Sequence, residues 1–271
     1  MLRIVRFIAA SLLAFASASP LWAHEFWVQP LDGPVAPGGE VVADIRRGEN
    51  FRGDALVWNP ANFERVEVHG PSGARSLEGR LGDRPALRAA AKEAGLHVLV
   101  YVSDVKRTTY TAPEQFEAFA ALEGFDGAME RHRARVPEPV FSEAYSRYAK
   151  ALVPVGGTPA VADRTIGLPI EIVLDDMPFG GGAVRARVFL HGQPMVNATV
   201  RRFARPLHDE TAPALVESAR TDAWGRVALR LPARHRILLS AVHLREPDGA
   251  LAKERNVVWE TLWASTVFST E

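Results

Sequence analysis

Ala23-His24-Glu25-Phe26-Trp27 is the stretch whose residue types can do distinctive chemistry. A chain cut after Ala23 begins with His24, whose α-amino nitrogen and imidazole Nδ1 chelate one ion together. Two neutral nitrogens from one residue suit nickel, cobalt, copper or zinc, whereas magnesium and calcium prefer oxygen. A stable site needs further donors from distant sequence. His97 opens the strand-like run His97-Val98-Leu99-Val100-Tyr101, and His243 ends the run from Ile237, so each offers a single imidazole at a strand end. Glu25 can add an oxygen or orient an imidazole through a hydrogen bond. The predicted metal set is therefore His24, His97, His243 and Glu25. His69 is a weaker candidate, and His191, His208 and His235 sit in loop-like contexts. Against all of them stands the ordinary role of a lone strand-end histidine, a hydrogen-bonded surface residue.

Other chemistry is poorly represented. No His-x-His or His-Glu-x-x-His spacing occurs, which removes the zinc hydrolase motifs, and there is no Gly-x-Ser-x-Gly elbow. Gly180-Gly181-Gly182 lacks the lysine and helix of a phosphate loop. Asp175-Asp176 precede a Pro-Phe-Gly turn and read as solvated turn residues, while Trp27, Trp58, Trp224, Trp259 and Trp263 read as packing aromatics and not as a sugar platform. No enzyme is expected from these residues.

The elements that must position the histidines follow from composition and pattern. Residues 1–23 have a leader's three parts: Arg3 and Arg6, an apolar core from Phe7 to Phe15, and small residues after it. The apolar run is too short to span a bilayer. The small-x-small rule favours cleavage after Ala18, whereas cleavage after Ala23 frees His24. An exported, periplasmic protein without a membrane span is expected. The chain has 32 Lys+Arg, 32 Asp+Glu, 8 His and no Cys, and loss of Arg3 and Arg6 leaves a formal charge of about −2. Such a balance offers no electrostatic footprint for nucleic acid. Without cysteine there are no disulfides and no thiolate ligands.

From His24 to Ala112 short β runs at 25–28, 41–45, 66–69 and 97–102 alternate with Gly/Pro turns and predict an N-terminal β-sandwich. A helical insertion is predicted over 113–152. Its first helix starts at Pro113 with Thr111 as cap and Phe116, Phe119 and Leu122 on one face. Its second runs from Phe141 with Tyr145, Tyr148, Ala149 and Leu152 at helical spacing. Glu130 to Pro139 reads as a solvated turn or helix end, and 83–93 is left between helix and loop. Residues 153–163 read as a linker, and 164–271 return to β with runs at 170–174, 184–190, 196–203, 226–231, 237–244 and 257–268. The expected fold is mainly β: two Ig- or transthyretin-like sandwiches with a helical insertion between them.

Three segments carry a family resemblance. His24-Glu25-Phe26-Trp27-Val28-Gln29-Pro30, the stretch Glu143 to Val153, and Trp259-Glu260-Thr261-Leu262-Trp263-Ala264-Ser265-Thr266-Val267-Phe268 together resemble the DUF4198 proteins, exported bacterial proteins related to a nickel-transport component of the NikM type. Within the C-terminal half, His191-Gly192-Gln193-Pro194-Met195-Val196-Asn197-Ala198-Thr199-Val200 followed by Thr221 to Leu229 is similar to the carboxypeptidase-regulatory-like, transthyretin-type repeat, with Gly225 placed for a positive-φ turn. The resemblance implies cleavage after Ala23. It also implies a role in nickel or cobalt uptake; with copper added from the nitrogen donors of His24, the expected function is uptake or delivery of nickel, cobalt or copper, with an inner-membrane transporter or outer-membrane receptor as partner. Two other functions fit the same residues: an adaptor module working with an outer-membrane receptor, and a copper oxygenase using His24 as one arm of a histidine brace.

Overall fold

The structure is a computed structural model that describes residues 24–31, 33–136, 138–157, 162–176 and 180–271. The leader expected over 1–23, part of the 153–163 linker and part of the turn after Asp176 lie outside the described residues. In chain order the elements begin with β1 (Glu25–Pro30), β2 (Gly39–Glu49), β3 (Arg52–Leu56), β4 (Phe63–Gly70), β5 (Gly73–Ser76), β6 (Leu87–Ala91), β7 (Gly95–Ser103) and β8 (Lys106–Tyr110). Then come α1 (Pro113–Glu123), α2 (Ala128–Arg135), β9 (Phe141–Val155), β10 (Ile170–Leu174), β11 (Gly182–Leu190), β12 (Gln193–Pro194) and β13 (Thr199–Pro206). The chain closes with β14 (Leu215–Arg220), β15 (Arg226–Leu231), β16 (His235–Arg245), α3 (Gly249–Arg255) and β17 (Trp259–Ser269).

The strands form three layers. Among the described residues the middle sheet has nine strands in the order β14-β13-β16-β17-β9-β7-β4-β5, with β8 also on β9. It draws strands from both halves of the chain and joins them through the parallel pair β9–β17, in which Trp263 lies opposite Arg147. One outer sheet is β1-β2-β3 with β6 on β2, and the other is β10-β11-β12 with β15 on β11.

Alternation decides which layer each residue meets. On β7, Leu99 and Tyr101 join the core under β1 and β2, while Val98, Val100 and Val102 join the core under β10, β11 and β15. The same split holds on β16, where Leu238 faces the first core and Ile237 and Leu239 the second. Strands covered on both faces carry near-continuous apolar runs. The two sandwiches expected from sequence are thus built on one shared sheet, because the middle strands bury both of their faces.

Several expectations change at the insertion. The second helix expected from Phe141 is strand β9, whose true period is two. Its buried polar residues Glu143 and Lys150 hide the alternation, and Tyr145, Tyr148, Ala149 and Leu152 mimic a helical face. The linker begins inside this strand, at Val153. Helix α1 starts at Pro113 as predicted, but its cap residue is Ala112 and not Thr111, which donates to Gln115, and Leu122 is exposed while Glu123 takes the buried position. Of Glu130 to Pro139, read as a solvated turn or helix end, residues 130–135 are the end of α2, but His132 is buried and accepts a hydrogen bond at Nδ1 from Trp259 Nε1 (3.1 Å). The segment left between helix and loop contains β6. Together α1 and α2 cover Phe141, Val242, Trp259 and Trp263, on the same face of the middle sheet as the first outer sheet.

Lys150 shows how a charge survives in the second core. Its Nζ donates to both carboxylate oxygens of Asp163 (3.0 Å each) and to the carbonyls of Arg164 and Ile172, and Asp163 also accepts from the Leu174 amide. This group ties the chain after the linker to β9 and β10. Removing one partner of a buried pair leaves the other charge uncompensated. Asp163→Ala is expected to lower unfolding stability in urea by about 3–5 kcal/mol, and a loss under 1 kcal/mol, the scale of an exposed pair, would contradict this role.

Candidate functional site

The His24 end is held by two strands, β2 and β9. β1 pairs with β2 so that Glu25 lies opposite Gly48, which brings Glu49 to the histidine, with His24 Nε2 3.4 Å from Glu49 Oε1. Arg147 Nη1 on β9 donates to the His24 carbonyl (2.8 Å). The carboxylate beside the imidazole is therefore Glu49, supplied by strand register, and not the adjacent Glu25.

Glu25 is committed elsewhere. Its Oε1 and that of Glu123 both accept from Arg201 Nη1 (3.2 Å each), and the second carboxylate oxygen of each is buried without a hydrogen-bond partner. One guanidinium thus faces two carboxylates. Burial pushes both carboxyls up against the pull of Arg201, Glu123 to about 7.

The remaining predicted ligands do not join His24. His97 lies opposite Val153 on β9, six residues along from Arg147, or roughly 20 Å at the rise of a strand. It is buried against Gly70, with Nδ1 3.4 Å from the Gly95 carbonyl. His243 alternates with Leu239 and Ala241 on the second face, so the middle sheet stands between it and His24. Its neighbours are Arg245 and His191, and burial and those two groups lower its pKa. His69 pairs with Glu67 (2.8 Å), His191 Nε2 with Arg245 Nη1 (3.1 Å) and His235 Nδ1 with the Ala233 carbonyl (2.7 Å). Among the described residues no group of three or more His, Asp or Glu side chains is arranged to hold a metal ion. Asp175 and Asp176 bind Arg187 and Arg185, Trp27, Trp58, Trp259 and Trp263 are buried, and Trp224 is exposed beneath Arg226.

What does converge next to His24 is a pocket of about 120 Å³ between β1, β2, β7, β8 and β9. Three cations, Arg47, Lys106 and Arg147, line it together with Phe26, Phe63 and Tyr101, and among the described residues no carboxylate does. The placement follows from register: Arg47 is the cross-strand neighbour of Phe26 and continues the inward positions Val41, Ala43 and Ile45 of β2. The Arg147 guanidinium lies over the rings of Phe26 (5.6 Å), Tyr145 (5.2 Å) and Trp263 (4.9 Å). Burial pushes Arg147 down to about 10, and Arg47 acts in the same direction while Tyr145, Glu25 and Glu143 oppose it. In sequence these residues are scattered through four segments, and the misread β9 hid Arg147.

Glu143, two positions before Tyr145 on the same face, accepts from Thr261 Oγ1 (2.6 Å) and Tyr110 Oη (2.8 Å). Burial outweighs these bonds and raises its carboxyl from 4.5 to about 7.

A family model described as "Domain of unknown function (DUF4198)" matches residues 21–245. Among curated proteins none matches the chain. A solved structure, "Crystal structure of tetra-tandem repeat in extending region of large adhesion protein", aligns with 92% of this chain and 50% of its own length at 10% identity and a TM-score of 0.22. The chain spans half of that protein, and a likeness of this grade carries no inference. No helix among the described residues is long and apolar enough to cross a membrane.

The Glu143 carboxyl makes stability depend on pH. Ionising near 4.5 when unfolded and about 7 when folded, it takes up a proton on folding, so its contribution is full below 4.5 and lost as pH rises through 7. The loss is on the order of 2–3 kcal/mol for such a shift. Urea unfolding at pH 5 and pH 8 is expected to show wild-type stability dropping with pH and Glu143→Gln losing that part of the slope; equal slopes would disprove the assignment.

Proposed function

The chain belongs to the DUF4198 family, whose description names no activity, and from its own residues we propose a non-enzymatic, exported binding protein that holds a divalent transition metal at His24 for uptake or delivery. The observation carrying this reading is the His24 imidazole set against Glu49 while Arg147 fixes the His24 backbone. With His24 as first residue, the α-amine and Nδ1 chelate the ion, Glu49 at Nε2 supplies the carboxylate partner that orients a metal-bound imidazole, and the further donors come from water or the receiving protein and not from a distant histidine of this chain. Nickel, cobalt and copper suit that donor set.

The four-residue set expected from sequence does not fit one ion, because the middle sheet and the length of β9 separate His243 and His97 from His24 and because Arg201 occupies Glu25. A copper histidine brace needs a second imidazole beside His24, which neither of these supplies, so the arrangement favours holding an ion over oxygenase chemistry. The loaded protein would hand its ion to an inner-membrane transporter or an outer-membrane receptor.

Intact mass of the exported protein is expected to place the amino terminus at His24, and calorimetry of that material to show one Ni, Co or Cu ion per chain. Affinity should fall as pH drops, since both donors must lose protons to bind. His24→Ala should abolish binding and Glu49→Gln weaken it by about tenfold. An amino terminus at Ser19, or no heat with any of the three ions, would sink the reading.

A further inference from the structure

We propose that the pocket beside Arg147 binds a small organic anion, a monocarboxylate with an aromatic or apolar body, its carboxylate between Arg147 and Arg47 and its body against Phe26, Phe63 and Tyr101. The inference stands apart from the metal reading, because none of these residues is a proposed ligand of the ion.

Charge carries the argument. Arg147 donates a hydrogen bond to the His24 carbonyl, and among the described residues no carboxylate lies within ion-pair distance of its guanidinium. Arg47, from the facing sheet, likewise has no acidic partner among them, and of the three cations only Lys106 is paired, to Asp104 at 2.8 Å. Two guanidinium groups from two different sheets thus face one pocket whose lining holds no carboxylate, while Glu25 and Glu143, which act on Arg147 from outside it, are committed to Arg201 and to Thr261 and Tyr110. Guanidinium does not shed its proton near neutral pH, so an anion that enters the pocket meets two standing positive charges. A planar guanidinium matches a carboxylate with two parallel hydrogen bonds.

Shape supplies the second half. Phe26 packs on Tyr101 at 4.8 Å and Phe63 on Tyr101 at 5.8 Å, which makes one wall of the pocket a continuous aromatic surface. Ile45 and Leu56 extend it. A few convergent polar groups over an apolar wall is the usual make-up of a small-molecule site. An inorganic anion would use the cations and leave the wall bare, whereas an aryl or alkyl carboxylate uses both.

The test is saturation-transfer NMR and calorimetry on the full exported chain, stripped of metal beforehand and with no carboxylate chelator or buffer present, so that metal binding contributes nothing and no other carboxylate competes. The probes are 3-phenylpropionate, its neutral counterpart 3-phenylpropanol, and inorganic phosphate. Phenylpropionate is expected to bind with ring protons saturated, and the alcohol and phosphate about tenfold or more weakly, the value of one charge-assisted hydrogen bond. Arg47→Ala, at an exposed rim position, should weaken phenylpropionate by about tenfold, and Arg147→Gln should abolish binding with circular dichroism unchanged. If Arg147→Gln does not fold, Arg47→Ala and the acid-to-alcohol ratio decide. Equal binding of acid and alcohol, phosphate binding as tightly as phenylpropionate, an unaffected Arg47→Ala, or no binding at 10-fold molar excess over a millimolar Kd (on the order of 10 mM) would each overturn the proposal.

Discussion

Two-sided burial of the middle sheet is the constraint on which the remaining structure depends. A strand covered on one face needs apolar residues at alternate positions, but β7, β9, β16 and β17 must satisfy a layer above and a layer below. Each apolar side chain buried there contributes roughly 1.5–3 kcal/mol relative to exposure, and each polar one must find its partners inside the protein. This explains why the unusual residues of β9 have such explicit arrangements. Lys150 points into the second core and is enclosed by Asp163 and two carbonyls, Glu143 points to the other face and is held by two hydroxyls, and Arg147 lies among three rings.

The same constraint sets what could be read from sequence. Outer strands such as β15, Arg226–Leu231, keep one wet face, and their alternation is plain in Val227, Leu229 and Leu231 against Arg226, Ala228 and Arg230. Most β segments of both halves were legible, as was the start of α1. The architecture was not, since a run such as Leu96 to Val102 shows that a strand is buried without showing how many layers bury it. β9 was lost for the opposite reason, because charges at core positions erased the period of two. Short edge strands such as β3 and β14, exposed along most of their length, carried too little apolar signal to be seen.

His24 stood out in the sequence as a candidate ligand, but its neighbours did not. Sequence adjacency suggested Glu25, whereas the β1–β2 register delivers Glu49, and alternation along β1 turns Glu25 toward Arg201 of β13. Further along, Gln29 accepts from Arg205, so β1 is tied to β13 at two buried positions that flank Trp27, and Phe26, Trp27 and Val28 all join the first core. A strand secured on both sides gives the residue at its head a defined place, which is what a two-nitrogen chelate requires if it is to be presented in one orientation.

The two arginine groups flanking β1 are unbalanced in opposite senses, and the chemistry of the groups decides how each is resolved. At Arg201 the excess is carboxylate, and Glu123, raised to about 7, can take a proton and restore neutrality without any ligand. At Arg147 the excess on the pocket side is guanidinium. Burial and Arg47 lower its pKa only to about 10, well above physiological pH, so no internal proton transfer corrects it. Ring faces recover part of the lost solvation, worth about 0.5–2 kcal/mol for each favourable contact, yet they supply no acceptor oxygens for the remaining N–H groups. The Arg201 group can therefore be complete within the protein, whereas Arg147, beyond its bond to the His24 carbonyl, keeps N–H donors for whatever enters the pocket.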